Sequence, residues 1–361
     1  MTPTQLVVDL GAISRNLQRL RHRSGARRVI AAVKADAYGH GLVPVAIHLE
    51  PEVSAFGVAT VEEGVQLRAA GIAKPIFKFS PALDDELAAA IAARLTLTVG
   101  SLDGARAAAR AAREAGVVVD VHLKVDTGMR RVGVEPSDAP DVAAAISAER
   151  SLRLEGIFTH LAAADADDGR AFTEQQLRVF RGAVEAVRGA VGDVEWVHTA
   201  NSAGILGFEL DGDTAVRPGI ALYGGGLLEP VARWTSTVLF VKRVRAGESV
   251  SYGRTWTAPR DTTIATLAVG YGDGYSRLNS NRGRVLIAGA SYPVVGRVCM
   301  DQTMVDLGSH ADVRPGDEVV LMGDSGDERI TVEELAGTMG TIPYEVTCLI
   351  TGRVARSYVG G

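Results

Sequence analysis

A regular alternation of short apolar runs with helix-like stretches, between residues 29 and 222, most constrains the fold of this chain. Strands that alternate with helical segments indicate βα units and a parallel sheet, and eight such units close a (β/α)8 barrel. An open doubly wound α/β sheet is the alternative, but no GxGxxG sequence follows the first run. The predicted strands are Val29–Asp36, Ser54–Ala59, Pro75–Ser80, Leu95–Val99, Val119–Asp126, Leu154–Leu161, Val194–Ala200 and Ala215–Leu222.

The pattern changes after about residue 230, where long β-rich segments are joined by Gly/Asp turns. We therefore expect an α/β chain with a TIM-like barrel over residues 11–230 and a mainly β C-terminal domain over residues 231–361. Residues 4–10 alternate like one further strand, which could pair with either domain. The second domain is predicted to contain strands Trp234–Val244, Thr262–Val269, Arg284–Ala288, Ser291–Val305 and Glu318–Met322, and helices Thr331–Met339 and Tyr344–Ile350.

Composition limits the classes of partner. A length of 361 residues suggests two domains, and a net charge of -5 gives no reason to expect nucleic acid or an anionic membrane as a partner. Cys299 and Cys348 are too few for a disulfide framework and lack metal-site spacing. No apolar run has the length of a membrane helix or a signal peptide core. We expect a cytoplasmic protein without a metal.

Lys34 ends the first apolar run, and Tyr38 follows it before a glycine-bracketed turn. Burial disfavours the charged form of a lysine, and a neutral amine can form a Schiff base with an aldehyde. The alternative is a lysine that reaches past the strand end into solvent.

Polar residues also follow other predicted strands, and barrel enzymes gather their chemistry at the carboxyl ends of strands. Backbone N–H groups at Ser202, Gly219 and Ile220 could bind a phosphate, as loops after strands seven and eight of a barrel often do. An ordinary turn with a serine N-cap is the alternative. The polar residues are Lys34 and Tyr38 after strand one, 124–131 after strand five, His160 after strand six, 198–202 after strand seven and 217–220 after strand eight.

Residues 32–41, AVKADAYGHG, closely resemble the cofactor-binding motif of the bacterial alanine racemases, and five further motifs follow in that family's order. The resemblance implies a fold-type III enzyme dependent on pyridoxal 5'-phosphate (PLP), with strand 4–10 belonging to the β domain. It implies that Lys34 carries PLP as a Schiff base. The implied cofactor-binding residues are Lys34, Tyr38, His160, Asn201, Ser202, Arg217, Gly219, Ile220 and Tyr344.

The same resemblance assigns chemical roles. Arg217 would contact the pyridine nitrogen, and because an arginine only donates, that nitrogen would stay neutral. Lys34 and Tyr271 of the partner subunit would be the two bases of a homodimer with shared active sites, and His160 would contact Tyr271 and Arg217. Lys124 matches a lysine that is carbamylated in some members, and Arg130 stands where many members have glycine. The implied substrate-binding residues are Arg131, Met300, Tyr271, Tyr344 and Lys124.

The function that the resemblance implies is the interconversion of L- and D-alanine, which supplies D-alanine for peptidoglycan. A racemase for serine or for a broader set of amino acids is the nearest alternative. A non-enzymatic PLP-binding protein would resemble the barrel half alone, so the β domain with Tyr271 disfavours it. A fold-type III decarboxylase is disfavoured by the Arg217 motif and the length of the chain.

Overall fold

The computed structural model describes residues 3–309 and 312–361. The chain divides into two compact units. The first, which we call the barrel unit, holds residues 17–37 and 42–221. The second, the β unit, holds residues 38–41 and the described residues of 1–16 and 222–361.

The barrel unit contains eight parallel strands among its described residues, and they neighbour one another in chain order with the eighth beside the first. Val29 of the first strand pairs with Val216 of the eighth. Between strands seven and eight, Thr214 N–H donates to Val197 O (2.8 Å) and Arg217 N–H donates to Ala200 O (2.9 Å). The predicted TIM-like barrel is therefore confirmed. Its strands are Arg28–Ala32, Ala55–Val58, Ile76–Lys78, Leu95–Val99, Val119–Lys124, Leu152–Phe158, Trp196–His198 and Ala215–Val216.

Helices connect these strands, and local capping explains where several of them begin. Thr60 forms a capping box with Glu63, and the Ser101 side chain accepts from Gly104 N–H at the start of another helix. A further helix, Leu10–Ser24, precedes the first barrel strand. The connecting helices are Leu42–Leu49, Val61–Ala69, Leu87–Ala92, Leu102–Ala115, Ala139–Ala148, Arg170–Val191 and Ser202–Gly207, with a 3-10 turn at Glu50–Glu52.

The interior of the barrel unit combines apolar side chains with two histidine rings. The apolar cluster includes Phe77 and Phe158, both almost completely buried. His122 packs 4.6 Å from the ring of Phe77, and His198 stacks 4.9 Å from the ring of Phe158. Barrel interiors are normally filled by layers of branched apolar side chains, so the paired histidines are a departure that requires hydrogen-bonding partners.

The β unit is built on a nine-stranded sheet, as counted over the described residues. The N-terminal strand Gln5–Asp9 pairs antiparallel with Ala232–Val244 and parallel with Ala355–Val359. The other strands of the sheet are Thr262–Leu267, Arg284–Ile287, Ala290–Pro293, Thr303–Gly308, Glu318–Ser325 and Glu328–Ile330. A small ladder joins Ser249–Val250 to Trp256–Thr257, and the helices are Val332–Met339 and Pro343–Cys348. The prediction of a mainly β C-terminal region is confirmed.

One predicted strand, Ser291–Val305, is wrong. The chain leaves the sheet after Pro293 and rejoins it at Thr303. Gly296 lies between these strands with φ +74°, a left-handed conformation that a regular strand does not contain. The residues that follow it therefore form a loop, which holds Cys299 and Met300.

Within residues 3–309 and 312–361, no helix combines the length and the apolar character needed to cross a membrane. The same residues contain no group of three or more His, Cys, Asp or Glu side chains placed to hold a metal ion. Neither Cys299 nor Cys348 forms a disulfide within the described residues.

Candidate active site

Lys34 begins a left-handed turn just beyond the first barrel strand. The strand ends at Ala32, so the predicted extension to Asp36 is wrong. Ala35, Asp36 and Ala37 all have φ near +53°, a conformation that costs a non-glycine residue about 1–2 kcal/mol. Glu63 compensates by accepting from Ala35 N–H at 2.6 Å. Such strain concentrates at functional sites, and here it sets the position of a half-buried lysine.

Arg217 lies just beyond the eighth barrel strand and is buried, with 5% of its surface exposed. Its Nη2 donates to Thr159 O and Thr199 O, each at 2.8 Å. Its Nη1 donates to His198 O (2.8 Å) and to His198 Nδ1 (2.7 Å). Burial lowers the pKa of Arg217 to about 10, so the side chain remains protonated at neutral pH. Among the described residues, the Nε–H of Arg217 has no acceptor.

The loop after strand seven is fastened to the loop after strand eight by Ser202. Its Oγ accepts from Gly219 N–H (2.9 Å) and from Ala221 N–H (3.2 Å). The alternative of a serine N-cap is wrong, because Asn201 Oδ1 caps the helix Ser202–Gly207 by accepting from Gly204 N–H at 2.9 Å. The hydroxyl hydrogen of Ser202 is left to donate to a ligand oxygen. Ile220, next to Gly219, is buried.

His160 follows strand six, and its Nδ1 lies 3.5 Å from Arg217 Nη2. Burial, reinforced by the positive charge of Arg217, lowers the pKa of His160 to about 2, so its imidazole is neutral. The backbone of His160 is held by Gln176, whose Nε2 donates to His160 O (3.1 Å) and to Thr127 Oγ1 (3.2 Å). Gln176 Oε1 also accepts from Ala162 N–H at 2.9 Å.

Lys124 and Arg131 are two basic residues at the carboxyl end of strand five. Lys124 ends strand five and is buried, and its Nζ has no hydrogen-bond partner among the described residues. Burial, then Arg217 and Arg131, lowers the pKa of Lys124 well below its ordinary value. Arg131 is exposed, and beside it Arg130 has φ +57° and pairs with Glu135.

In the β unit, Tyr38 belongs to a cluster of aromatic rings. It stacks on Tyr223 with 5.0 Å between ring centres and lies 6.1 Å from the ring of Tyr344. The ring of His40 also stacks on the ring of Tyr223, with 4.8 Å between the ring centres. Burial raises the pKa of Tyr38 well above its ordinary value, so its phenol remains a hydrogen-bond donor.

The β unit also brings Tyr271 and Met300 together. Tyr271 N–H donates to Cys299 O (3.0 Å), and the following Gly272 N–H donates to Met300 O (2.8 Å). A Cβ at Gly270 would lie 2.3 Å from Cys299 O, so this position requires glycine. Tyr271 is 42% exposed and Met300 is 53% exposed, an unusual degree of exposure for two large side chains held so firmly by their backbones.

Three residues organise this site. Sequence reasoning assigned no role to Gln176 and His122, and it listed His198 only among the polar residues that follow strand seven. Gln176 lies on the helix Arg170–Val191, and His122 and His198 lie inside the barrel. A buried glutamine on an amphipathic helix is the one signal that the sequence offered, because such a side chain must find hydrogen-bonding partners.

Family comparisons agree with this architecture along almost the whole chain. Residues 8–226 match the N-terminal domain of alanine racemase, and residues 231–358 match its C-terminal domain. The chain belongs to the alanine racemase family. It is 45% identical to the alanine racemase of Cutibacterium acnes over 99% of this chain and 98% of that protein.

Solved alanine racemases have the same fold. The enzyme of Clostridium difficile 630 superposes with a TM-score of 0.93 at 34% identity, over 99% of this chain and 96% of that chain. The Bacillus anthracis alanine racemase with bound L-Ala-P gives a TM-score of 0.92 at 34% identity, over 100% of this chain and 96% of that chain.

The residues present fit PLP by their donor chemistry. A buried guanidinium with one uncommitted N–H suits a neutral ring nitrogen, and a serine hydroxyl that still has its hydrogen to donate suits a phosphate oxygen. Within the barrel unit these donors belong to Arg217 and Ser202, and Lys34 supplies the primary amine.

Proposed function

We propose that the protein interconverts L-alanine and D-alanine with PLP carried on Lys34. Membership of the alanine racemase family makes it an amino-acid isomerase. The observation that carries the proposal is the arrangement of Arg217, whose two Nη groups are committed to protein acceptors while its Nε–H is not. An arginine cannot act as an acceptor, so a ring nitrogen that it contacts stays unprotonated.

Bound PLP withdraws electrons from the substrate Cα and makes its proton removable. The two enantiomers differ in the face that carries this proton, so a racemase needs a proton-transferring group on each face. Lys34 Nζ would exchange the proton on one face, and the hydroxyl of Tyr271 of the partner subunit on the other. His160 stays neutral and adds no further charge beside Arg217.

Homodimer formation follows from this assignment of the second base. The exposure of Tyr271 and Met300 on a rigid loop supports a surface that a second subunit covers. The ion pairs of Arg353 with Asp273 (3.2 Å) and Asp301 (2.8 Å) hold that loop in place. We propose that each active site is completed by the partner.

Arg131 would bind the substrate carboxylate, because its exposed guanidinium has no protein acceptor among the described residues. Lys124 would support Arg131, and the Met300 backbone would add a further contact to the carboxylate. Tyr344 would leave room only for a small side chain, which favours alanine over serine or larger substrates. We place the reaction in the cytoplasm, where it would supply D-alanine for peptidoglycan.

Replacement of Lys34 tests the proposal directly. Lys34→Ala should abolish both the absorbance of bound PLP and the loss of optical rotation from L-alanine, while the exposed Lys242→Ala should retain both. Because enantiomers have equal free energy, the parent protein should drive the signal to zero and stop there. Bound cofactor and turnover in Lys34→Ala would contradict the proposal.

Tyr271 distinguishes a racemase from a PLP-binding protein without activity. Tyr271→Phe should retain PLP absorbance and lose racemisation by about 100-fold or more, whereas Tyr252→Phe, at a tyrosine that is 73% exposed, should behave as the parent. Comparison of L-alanine with L-serine and larger amino acids measures the breadth of the substrate range.

A further inference from the structure

A continuous chain of hydrogen bonds runs through the interior of the barrel unit from Arg217 to Glu155. Arg217 Nη1 lies 2.7 Å from His198 Nδ1, and His198 Nε2 lies 2.8 Å from His122 Nδ1. His122 Nε2 lies 3.2 Å from Glu155 Oε2. Arg217 and both histidines are almost completely buried, and the Glu155 side chain is 13% exposed.

Chemistry fixes the direction of every bond in this chain. An arginine only donates, so His198 Nδ1 must accept and the proton of His198 must lie on Nε2. That N–H donates to His122 Nδ1, which places the proton of His122 on its own Nε2. A carboxylate only accepts, so Glu155 is the group that completes the sequence of donors and acceptors.

The same arrangement keeps both imidazoles neutral. Burial lowers the pKa of His122, and burial together with Arg217 lowers the pKa of His198. Protonation of either ring would place a donor against a donor inside the barrel. Arg217 stays protonated at neutral pH and has no accepting atom, so it neither releases a proton into the chain nor takes one from it, and a proton relay is excluded.

We propose that Glu155 is a positioning residue that fixes the tautomers of His122 and His198 and thereby holds the Arg217 guanidinium in its reactive orientation. The two aligned imidazoles connect a buried cation to a carboxylate that does not touch it. This role rests on the proposed function only for its effect on turnover; the tautomers themselves do not depend on it.

The test uses ring 15N NMR of the full-length protein, labelled with 15N-histidine and saturated with PLP. The parent should show His122 and His198 protonated at Nε2 alone. Glu155→Gln should keep this pattern, because the amide oxygen still accepts. Glu155→Leu should mix the tautomers of His122, whereas Glu195→Leu, which removes an exposed acid that pairs with Arg28, should change neither ring.

Turnover gives an independent measurement. Glu155→Leu should lower kcat about tenfold with KM changed less than twofold, and Glu155→Gln should restore most of the loss. Nδ1 protonation of His198 in the parent, or unchanged tautomers in Glu155→Leu, would overturn the proposal without reference to any variant's stability or activity. Mixed tautomers with unchanged kcat would overturn the positioning role. A parent without racemase activity would contradict the proposed function instead, and the tautomers would still decide the hydrogen-bond order.

Discussion

Lys124 Nζ lies 4.5 Å from the centre of the Phe158 ring, and this aromatic face and the carboxylate of Asp126 favour its charged form. Two further cations, Arg217 and Arg131, oppose the charged form of Lys124. A neutral amine surrounded by cations favours any modification that turns it into an anion. The site therefore combines the reactive form of the lysine with an environment that would stabilise its carbamate.

We predict that Lys124 forms a carbamate with dissolved CO2, in which the amine nitrogen bonds to carbon and releases one proton. The measurement is 13C NMR of the protein in labelled bicarbonate, with Lys124→Gln as the variant that should lose the signal.

Lys78 supplies the matched control for this prediction. It is buried like Lys124, but its amino group is already paired, since it donates to Pro81 O (2.9 Å) and lies 3.6 Å from Glu86. Lys78→Gln should keep the carbamate signal. Absence of the signal in the parent protein would show that the amine of Lys124 does not react.

Substitution of Arg130 by glycine and by alanine should change the stability of the protein by different amounts. Its φ of +57° costs a side-chain-bearing residue about 1–2 kcal/mol, while glycine loses about 0.5–1 kcal/mol more backbone entropy on folding. Both substitutions remove the same exposed ion pair with Glu135. Arg130→Gly should therefore be about 0.5–1 kcal/mol more stable than Arg130→Ala in urea unfolding. Equal stabilities would indicate that the loop relaxes to a negative φ.

The sequence predicted the barrel because each buried strand carries a recognisable apolar run. The strand Leu95–Val99 was predicted with its observed limits, since buried parallel strands are apolar on both faces. The same reasoning extended the first strand through Lys34 to Asp36, because a left-handed turn of non-glycine residues has no sequence signature. The domain limits of 11–230 and 231–361, and the roles of the site residues, remain predictions.

The interior hydrogen bonds could not be predicted from the residues alone. His122, Glu155 and His198 are separated by tens of residues, and each is an ordinary polar residue in its own segment. Only the closure of the barrel places their side chains within hydrogen-bond distance of one another. The family motifs, by contrast, lie in short contiguous segments, so roles for residues such as Lys34 and Arg217 could be proposed without a structure.

Acid should destabilise the protein through three histidines of the barrel unit, His122, His160 and His198. Burial lowers the pKa of each in the folded state, whereas the unfolded chain takes up these protons near pH 6.5. Below that pH the unfolded state binds more protons, so the free energy of unfolding falls as the pH falls, with a limiting slope of about 1.4 kcal/mol per pH unit for a histidine that stays neutral in the folded state.

Urea unfolding between pH 7 and pH 5 measures this dependence. His160→Gln should reduce the mean slope over this range by about 1 kcal/mol per pH unit, and the exposed His22→Gln should leave it unchanged. A flat profile across this range would mean that the three rings take up protons without unfolding.

Gln176 should be essential to the shape of the barrel rim, because its carboxamide joins the loops after strands five and six. Gln176→Leu leaves the His160 carbonyl and the Ala162 N–H without their partners inside the protein. These hydrogen bonds are only partly buried, and an unsatisfied buried group costs about 1–3 kcal/mol, so the free energy of unfolding should fall by about 1–3 kcal/mol in total. The neighbouring Gln175 is exposed, and Gln175→Leu should change stability by less than about 0.5 kcal/mol.

Gln176→Glu separates the two functions of this carboxamide. A carboxylate still accepts from Ala162 N–H but cannot donate to His160 O or Thr127 Oγ1. We expect it to retain the fold while the loop that carries His160 shifts, which should lower kcat because His160 lies against Arg217. Thermal unfolding and racemisation rates, measured together for both variants, test this separation. Parent-like turnover in Gln176→Glu would show that the donated bonds do not set the position of His160.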